Sequence, residues 1–189
     1  DQEQVPQFEA VNGHLACSTG FRLRPVAGLV EGVEFLAHLA NGEFLATQYL
    51  RHPSRPFYTP EPDVLHELVG HASLLSQPAY AQLHRWFGEA ALALHEPDQL
   101  TRLDRLYWRS MEFGLVEERG RARALGAGLL SSCGELERIE HGATLQPCST
   151  EAILETPYDP TTFQPELYVW PSQRALRNWV RGQLERLIQ

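Results

Sequence analysis

Pro60-Glu61-Pro62-Asp63-Val64-Leu65-His66-Glu67-Leu68-Val69-Gly70-His71 sets two imidazoles and a carboxylate at the mouth of a helix. Asp63 has the side chain of an N-cap, and the helix it opens is expected to run to Leu75, before Pro78 starts the next one. The histidine interval decides what the pair can do. In the zinc-protease motif two histidines stand four apart, about 40° from eclipsed, and share a helix face. Here they stand five apart, which is about 140° on an ideal α-helix. Both rings can reach one ion only if the turn is locally distorted, and Gly70 makes such a distortion cheap. Two readings stand at this point: half of a metal site on an irregular turn, or a polar, partly buried helix face.

Composition bounds the rest. The chain has 189 residues with 43% hydrophobic and 10% aromatic content, enough to bury one sizeable core, so residues 1–189 are expected to form a single domain. A formal net charge of -8 argues against general nucleic-acid binding, which needs a basic face. All 16 basic residues are arginine, which excludes a lysine Schiff base and with it pyridoxal phosphate chemistry. Cys17, Cys133 and Cys148 form no CxxC pair, so neither a disulfide framework nor a thiolate zinc site is expected, and a cytoplasmic location fits. No apolar run approaches the roughly 18 residues of a membrane span.

Turn signals divide the chain without an internal repeat or low-complexity linker. Gly20 to Gly32, with its arginines and Pro25, reads as an ordered loop that passes into a helix from Gly32 to Leu39. Phe44 to Leu50 reads as a short strand, followed by a proline-rich loop from His52 to Pro62. A helix from Pro78 carries Tyr80, Leu83, Phe87 and Leu94, and a third, from Pro97, carries Leu100, Leu103, Tyr107, Met111 and Leu115 on one face. Arg119 to Ala124 reads as a short strand or turn. After the small residues of Gly126 to Gly134 the chain reads as irregular until a strand from Phe163 to Val169. Ser172 then caps an amphipathic helix with Leu176, Trp179, Val180, Leu184 and Leu187 inward. The balance is α+β, mostly α-helical with a small sheet.

Glu112 is the natural third ligand. It lies beside the apolar stripe in Tyr107-Trp108-Arg109-Ser110-Met111-Glu112-Phe113-Gly114, where an unpaired carboxylate would be costly to bury and a metal would neutralise it. Two neutral imidazoles and a carboxylate make the facial triad that holds non-haem iron(II) with positions left open. On spacing alone, a surface glutamate at a helix edge and a zinc hydrolase with Glu67 as general base remain alternatives.

Four blocks then fall in order: Thr19-Gly20-Phe21-Arg22-Leu23-Arg24-Pro25-Val26-Ala27-Gly28-Leu29; Tyr58-Thr59-Pro60-Glu61-Pro62-Asp63 running into His66-Glu67-Leu68-Val69-Gly70-His71; Glu112-Phe113-Gly114-Leu115; and Gly126-Ala127-Gly128-Leu129-Leu130-Ser131-Ser132. With them the chain resembles the catalytic domain of the tetrahydropterin-dependent aromatic amino acid hydroxylases, the phenylalanine, tyrosine and tryptophan hydroxylases, over most of Pro6 to Val169. The resemblance implies a monooxygenase that uses iron(II), a tetrahydropterin and dioxygen on the ring of an aromatic amino acid. It puts the iron ligands on His66, His71 and Glu112. It puts the pterin against the backbone of Gly28, Leu29 and Val30, stacked on Phe35, although by its pattern alone Phe35 reads as a core aromatic. Glu67 falls where the family has its catalytic carboxylate, near the pterin and the iron-bound water.

For the substrate, the resemblance assigns Arg51 to the amino acid carboxylate, as a planar group suited to bidentate pairing. Asp63 would orient it, Thr59 and Ser131 would add polar contacts, and Trp108, Pro62 and His66 would flank the ring. Trp108 is more like the phenylalanine and tyrosine enzymes than the tryptophan enzymes. Phenylalanine is therefore the expected substrate, with the para product expected and the meta product open because Asp159-Pro160 departs from the family pattern. Arg109 and Met111 are also unusual beside the glutamate. Only a short stretch precedes the Gly20 block, so an N-terminally shortened domain is expected. A monomer or weak dimer follows, with no nucleic acid or membrane partner. The alternatives kept are a tyrosine or tryptophan hydroxylase, a zinc hydrolase, and a non-catalytic binding module with the same fold.

Overall fold

The computed structural model describes residues 5–54, 56–57 and 61–189; Thr59 lies outside the described residues. Helix α1 (Phe8–Ser18) leads into β1 (Arg22–Val26), α2 (Gly32–Leu39) and β2 (Glu43–Thr47). The two strands pair in parallel, Arg22 opposite Glu43 and Val26 opposite Thr47, an arrangement that needs a crossover and takes α2 as one. Part of the expected Gly20–Gly32 loop is therefore strand. Pro25 is tolerated there because a two-stranded sheet has only edge strands.

Strand β2 is buried along its whole length. Its first residue, Glu43, receives Arg22, Arg24 at 3.1 Å and His38 Nδ1 at 2.8 Å. The hydrogen bonds from Arg22 and then His38 outweigh burial and hold this carboxyl down at about 2. Its last residue, Thr47, faces the site.

The helix expected from Asp63 to Leu75 is present but mostly not α. It is wound as a π-helix, π1 (His66–Ala72), and closes in the short α3 (Ser73–Leu75). Helix α4 (Pro78–Ala93) follows and runs through the core with Leu83, Phe87 and Ala90 fully buried. Helix α5 (Pro97–Tyr107) passes directly into a second π segment, π2 (Trp108–Glu112), closed by Phe113 N–H donating to Trp108 O at 3.0 Å.

Leu115, expected on the helix face, instead opens β3 (Leu115–Glu118). Its neighbours there are β4 (Arg121–Ala124), joined by a turn with Arg119 at φ 54° and Gly120 at φ 75°, and a parallel strand from far along the chain. A helical period in sequence carries no sign of so distant a partner. Helices α6 (Ala127–Leu130) and α7 (Cys133–His141), strand β5 (Thr144–Pro147) and helix α8 (Thr150–Glu155) follow, then β6 (Glu166–Trp170) and α9 (Gln173–Ile188). The second sheet has the order β4-β3-β6-β5.

The stretch expected to be irregular up to Phe163 thus contains α7, β5 and α8. The caps were there to be read: Ser132 Oγ accepts from Glu135 N at 3.3 Å and Ser149 Oγ from Ala152 N at 3.4 Å. Strand β5 is exposed throughout, and so lacks the alternation that marks a half-buried strand. In α9, Leu176, Val180, Leu184 and Leu187 are buried as expected.

Glu43 gives the fold a pH signature. Its folded pKa of about 2 lies below its ordinary 4.5, so the stability it contributes is present above about pH 4.5 and lost as pH falls toward 2. Because its arginine partners are largely exposed, the contribution is roughly 0.5–1 kcal/mol. Thermal melts of Glu43→Gln against the parent should differ at neutral pH and converge below about pH 3. A constant difference across that range would mean the cluster acts through packing rather than charge.

Candidate metal centre and its cleft

Residues five apart are brought together by i→i+5 winding, as residues four apart are on an α-helix. On π1 this turns His66 and His71 toward each other, with their Nε2 atoms 2.8 Å apart. Glu112, at the end of π2, brings Oε1 to 3.0 Å from His71 Nε2 and Oε2 to 3.7 Å from His66 Nε2. For metal–donor bonds of about 2.1 Å, neighbouring ligands stand about 3–3.4 Å apart. Two nitrogens and an oxygen at these separations therefore fit one ion.

Small residues let the two segments meet. A Cβ on Gly70 would lie 2.7 Å from Ala127 O, and one on Gly126 would lie 2.2 Å from Glu112 O. The requirement at Gly70 is thus space for α6, and not the backbone freedom expected from sequence. Asp63, fully buried, caps the turn by accepting from His66 N–H at 3.2 Å.

Electrostatics prepares the donors. Burial, followed by the proximity of His71, lowers His66 to about 4. Burial alone lowers His71 to about 3. Both imidazoles are therefore neutral at pH 7, so their contacts with Glu112 are not ion pairs and leave its carboxylate uncompensated. Burial accordingly raises Glu112, against the opposing effect of His66. A cation would relieve this.

The ring tautomer of His66 is also set. Ser131 Oγ–H donates to Ala127 O at 2.8 Å, so it accepts from His66 Nδ1–H at 2.9 Å and leaves the Nε2 lone pair facing the centre. His71 is instead steadied by the Phe44 ring, 4.3 Å away.

The centre lies in a cleft of about 310 Å³, the lower end of the range for small-molecule sites. The expected residues Gly28, Leu29, Val30, Phe35, Arg51, Pro62, Trp108 and Ser131 all line it. The Phe35 ring stands nearly perpendicular to those of Phe44 and Tyr107, with centroids 5.1 and 5.8 Å away. Glu67 is buried, with Oε1 accepting from Thr47 N at 3.0 Å and lying 3.1 Å from Thr47 Oγ1, whose hydroxyl donates to Pro62 O. Burial raises it to about 8 despite these hydrogen bonds.

Arg51 is paired with Asp63, the residue expected to orient it. The pairing is bidentate, through Nε to Oδ2 at 2.8 Å and Nη2 to Oδ1 at 2.6 Å. Nη1 donates to the carbonyls of Pro56 and Phe57. Of five guanidinium N–H groups, one on Nη2 remains for a ligand among the described residues. Burial would raise Asp63, but the Arg51 hydrogen bonds prevail and lower it.

To the expected Trp108 and Pro160 the far wall adds Tyr158, with Gln164 behind it, and neither Tyr158 nor Gln164 was foreseen. Trp108 stacks on Tyr158 at 4.2 Å and 7°, and donates from Nε1 to Gln164 at 3.1 Å. Arg109 turns away from the centre and holds that wall from behind, donating to Pro157 O at 3.0 Å and Glu166 O at 3.3 Å. Met111 is buried in the core. Pro160 lines the cleft, while Asp159 is exposed and bonds to Thr161. Tyr158, Pro160 and Gln164 lie some fifty positions beyond Trp108, and no local spacing connects them to it.

Over residues 1–188 the chain matches the family described as biopterin-dependent aromatic amino acid hydroxylase. It is 51% identical over 140 residues to phenylalanine 4-monooxygenase, chloroplastic, of Chlamydomonas reinhardtii, covering 74% of this chain and 38% of that protein. It is 41% identical over 166 residues to phenylalanine 3-hydroxylase of Streptomyces coeruleorubidus, covering 88% of this chain and 59% of that protein. The chain thus spans less than two thirds of either relative. Among solved structures, Chromobacterium violaceum phenylalanine hydroxylase with bound iron(III) and 7,8-dihydrobiopterin aligns at a TM-score of 0.87 and 34% identity, over 98% of this chain and 69% of that one.

Gly70→Ala should displace π1 from α6, cost roughly 1–3 kcal/mol and weaken retention of a bound divalent metal. Gly13→Ala, with nothing within 4 Å of the new methyl, is the control and should leave both unchanged or slightly raise stability. Melting curves and metal titrations of the two variants check this, and equal behaviour would remove the close-approach argument.

Proposed function

The chain belongs to the biopterin-dependent aromatic amino acid hydroxylases, and we propose that it is an iron(II)- and tetrahydropterin-dependent monooxygenase that hydroxylates the ring of phenylalanine. The observation that carries this reading is the convergence of His66, His71 and Glu112 in a cleft shared with Phe35 and the Gly28–Val30 loop. The donor set fits iron(II), with two nitrogens, one carboxylate and no thiolate. Bound iron and reduced pterin would supply the electrons and the dioxygen chemistry that place one oxygen atom on the ring.

The chain's own residues bind and orient. His66 and His71 present neutral lone pairs and Glu112 its charge. Phe35 offers a ring on which a planar heterocycle can stack. Thr47 N–H holds Oε1 of Glu67, whose burial raises it to about 8. The remaining Arg51 N–H takes the substrate carboxylate, and the Trp108–Tyr158 stack with Pro62 bounds the ring slot. Ser131 serves mainly by holding His66. Thr59 stays in this reading as a polar contact to the amino acid.

Residues 1–189 act as one catalytic unit, a monomer or weak dimer. Among the described residues no helix is long and apolar enough to cross a membrane, and three unpaired cysteines suit the cytoplasm. A single-ring substrate is favoured by the Trp108–Tyr158 wall. Between ring positions, Pro160 on that wall is the residue to watch, since relatives named for the 4- and the 3-position both resemble the chain.

Incubation with iron(II), tetrahydropterin and oxygen should convert phenylalanine to tyrosine, identified by chromatography and NMR. 3-Hydroxyphenylalanine would move the assignment to the meta position. Exclusive turnover of tyrosine or tryptophan would overturn the substrate, and no turnover despite bound iron and pterin would leave a binding module. Arg51→Ala should raise the phenylalanine KM at least tenfold, with iron still bound. Phe35→Ala should weaken pterin binding with little effect on amino acid affinity.

A further inference from the structure

The two imidazoles of the triad are supported unequally. His66 donates its second ring nitrogen to Ser131. His71 turns Nε2 to the centre, so its neutral ring carries the proton on Nδ1. That Nδ1–H is buried and has no hydrogen-bond partner among the described residues. The Phe44 ring lies against His71 but offers it no lone pair.

His84 lies behind it, a histidine that the triad does not use. It is fully buried on the inward face of α4, between Tyr80 and Phe87, where the neighbouring side chains are core. A buried core histidine is ordinarily satisfied at both nitrogens. Here Nδ1–H donates to Tyr80 O at 2.8 Å, and Nε2 has no partner among the described residues. Burial is the largest effect on this ring and lowers it to about 4, so Nε2 presents a lone pair at pH 7. The rings of His84 and His71 stand 6.4 Å apart at 86°. Tyr107, 5.8 Å from His84, adds a third unpartnered group, its buried hydroxyl. At that ring separation the two nitrogens come no closer than about 4 Å, too far for a direct hydrogen bond. A donor, an acceptor and a hydroxyl that can act as either are the partners a buried water takes, and about three is its usual number.

We propose that His84 is a positioning residue for the metal centre: its Nε2 accepts the Nδ1–H of His71 through one enclosed water, which also meets the Tyr107 hydroxyl. The inference rests on the iron reading of the triad. The bridge keeps the His71 proton on Nδ1, leaves the Nε2 lone pair for the metal, fixes the ring's orientation and strengthens it as a donor. It does for His71 what Ser131 does for His66. Phe21 and Phe44, each 6.3 Å from His84, bring no competing acceptor.

The test compares the parent with His84→Leu, which removes the acceptor, and His84→Gln, whose side-chain oxygen takes the place of Nε2. Iron(II) affinity is read by competition with a chelator. His84→Leu should bind iron(II) about tenfold more weakly, and His84→Gln should recover most of that loss. Without metal, His84→Leu should melt close to the parent, because it replaces a half-satisfied buried polar ring with an apolar side chain. In the parent loaded with zinc(II), a diamagnetic stand-in, long-range proton–nitrogen NMR should show His71 and His84 each protonated at Nδ1, with the His71 Nδ1–H in contact with a long-lived water. Equal iron(II) affinity in the parent and His84→Leu, equal losses in the two variants, or a proton on His84 Nε2 would overturn the inference. A lower melt of the metal-free His84→Leu with unchanged affinity would make His84 purely structural. Failure of the parent to bind iron(II) would overturn the iron reading itself.

Discussion

Two side chains five residues apart can serve one ion only where the backbone between them is wound with i→i+5 bonds. The rest of the site depends on that constraint. An α-helix through the same residues would send His71 away from His66. Winding π1 and π2 this way turns two imidazoles and a carboxylate inward on facing segments. The close approach of α6 at Gly70 and Gly126 then brings the segments within reach of each other. A methyl group at either position would meet a backbone carbonyl, so the glycines act through volume.

Irregular winding forgoes some regular hydrogen bonding and needs support at its ends. Asp63 provides it at π1, since one buried carboxylate caps the turn through His66 N–H and pairs with Arg51. The same pairing fixes the guanidinium and, among the described residues, leaves it one N–H to offer. At π2 the support is Arg109, whose guanidinium ties Pro157 and Glu166 behind the Tyr158 wall. Ligand geometry and cleft wall therefore share a backbone segment, which couples the metal centre to the wall through Trp108.

The triad was legible because its chemistry is local: two histidines beside an N-cap, and a carboxylate against an apolar stripe. The long helices were legible for the same reason, with apolar side chains recurring every turn from Tyr80 to Leu94 and from Leu176 to Leu187. What could not be read depended on distant partners. Leu115 continued a helical pattern until a parallel strand from residues 166–170 claimed it. Tyr158, Asp104 and Gln164 carry no motif and acquire meaning only where the chain folds back on Trp108. Arg51 was named from its matching position, but that its donors are mostly spent on Asp63, Pro56 and Phe57 is a property of three dimensions.

The central claim is that π1 and π2 together hold one metal ion through two nitrogens and one carboxylate. Iron K-edge X-ray absorption of the iron(II)-loaded protein measures it most directly. The account predicts one iron per chain with a shell of nitrogen and oxygen donors near 2.1 Å, including two imidazoles by multiple scattering, and loss of one imidazole in His71→Ala. A sulfur shell, or a spectrum unchanged by that substitution, would contradict it.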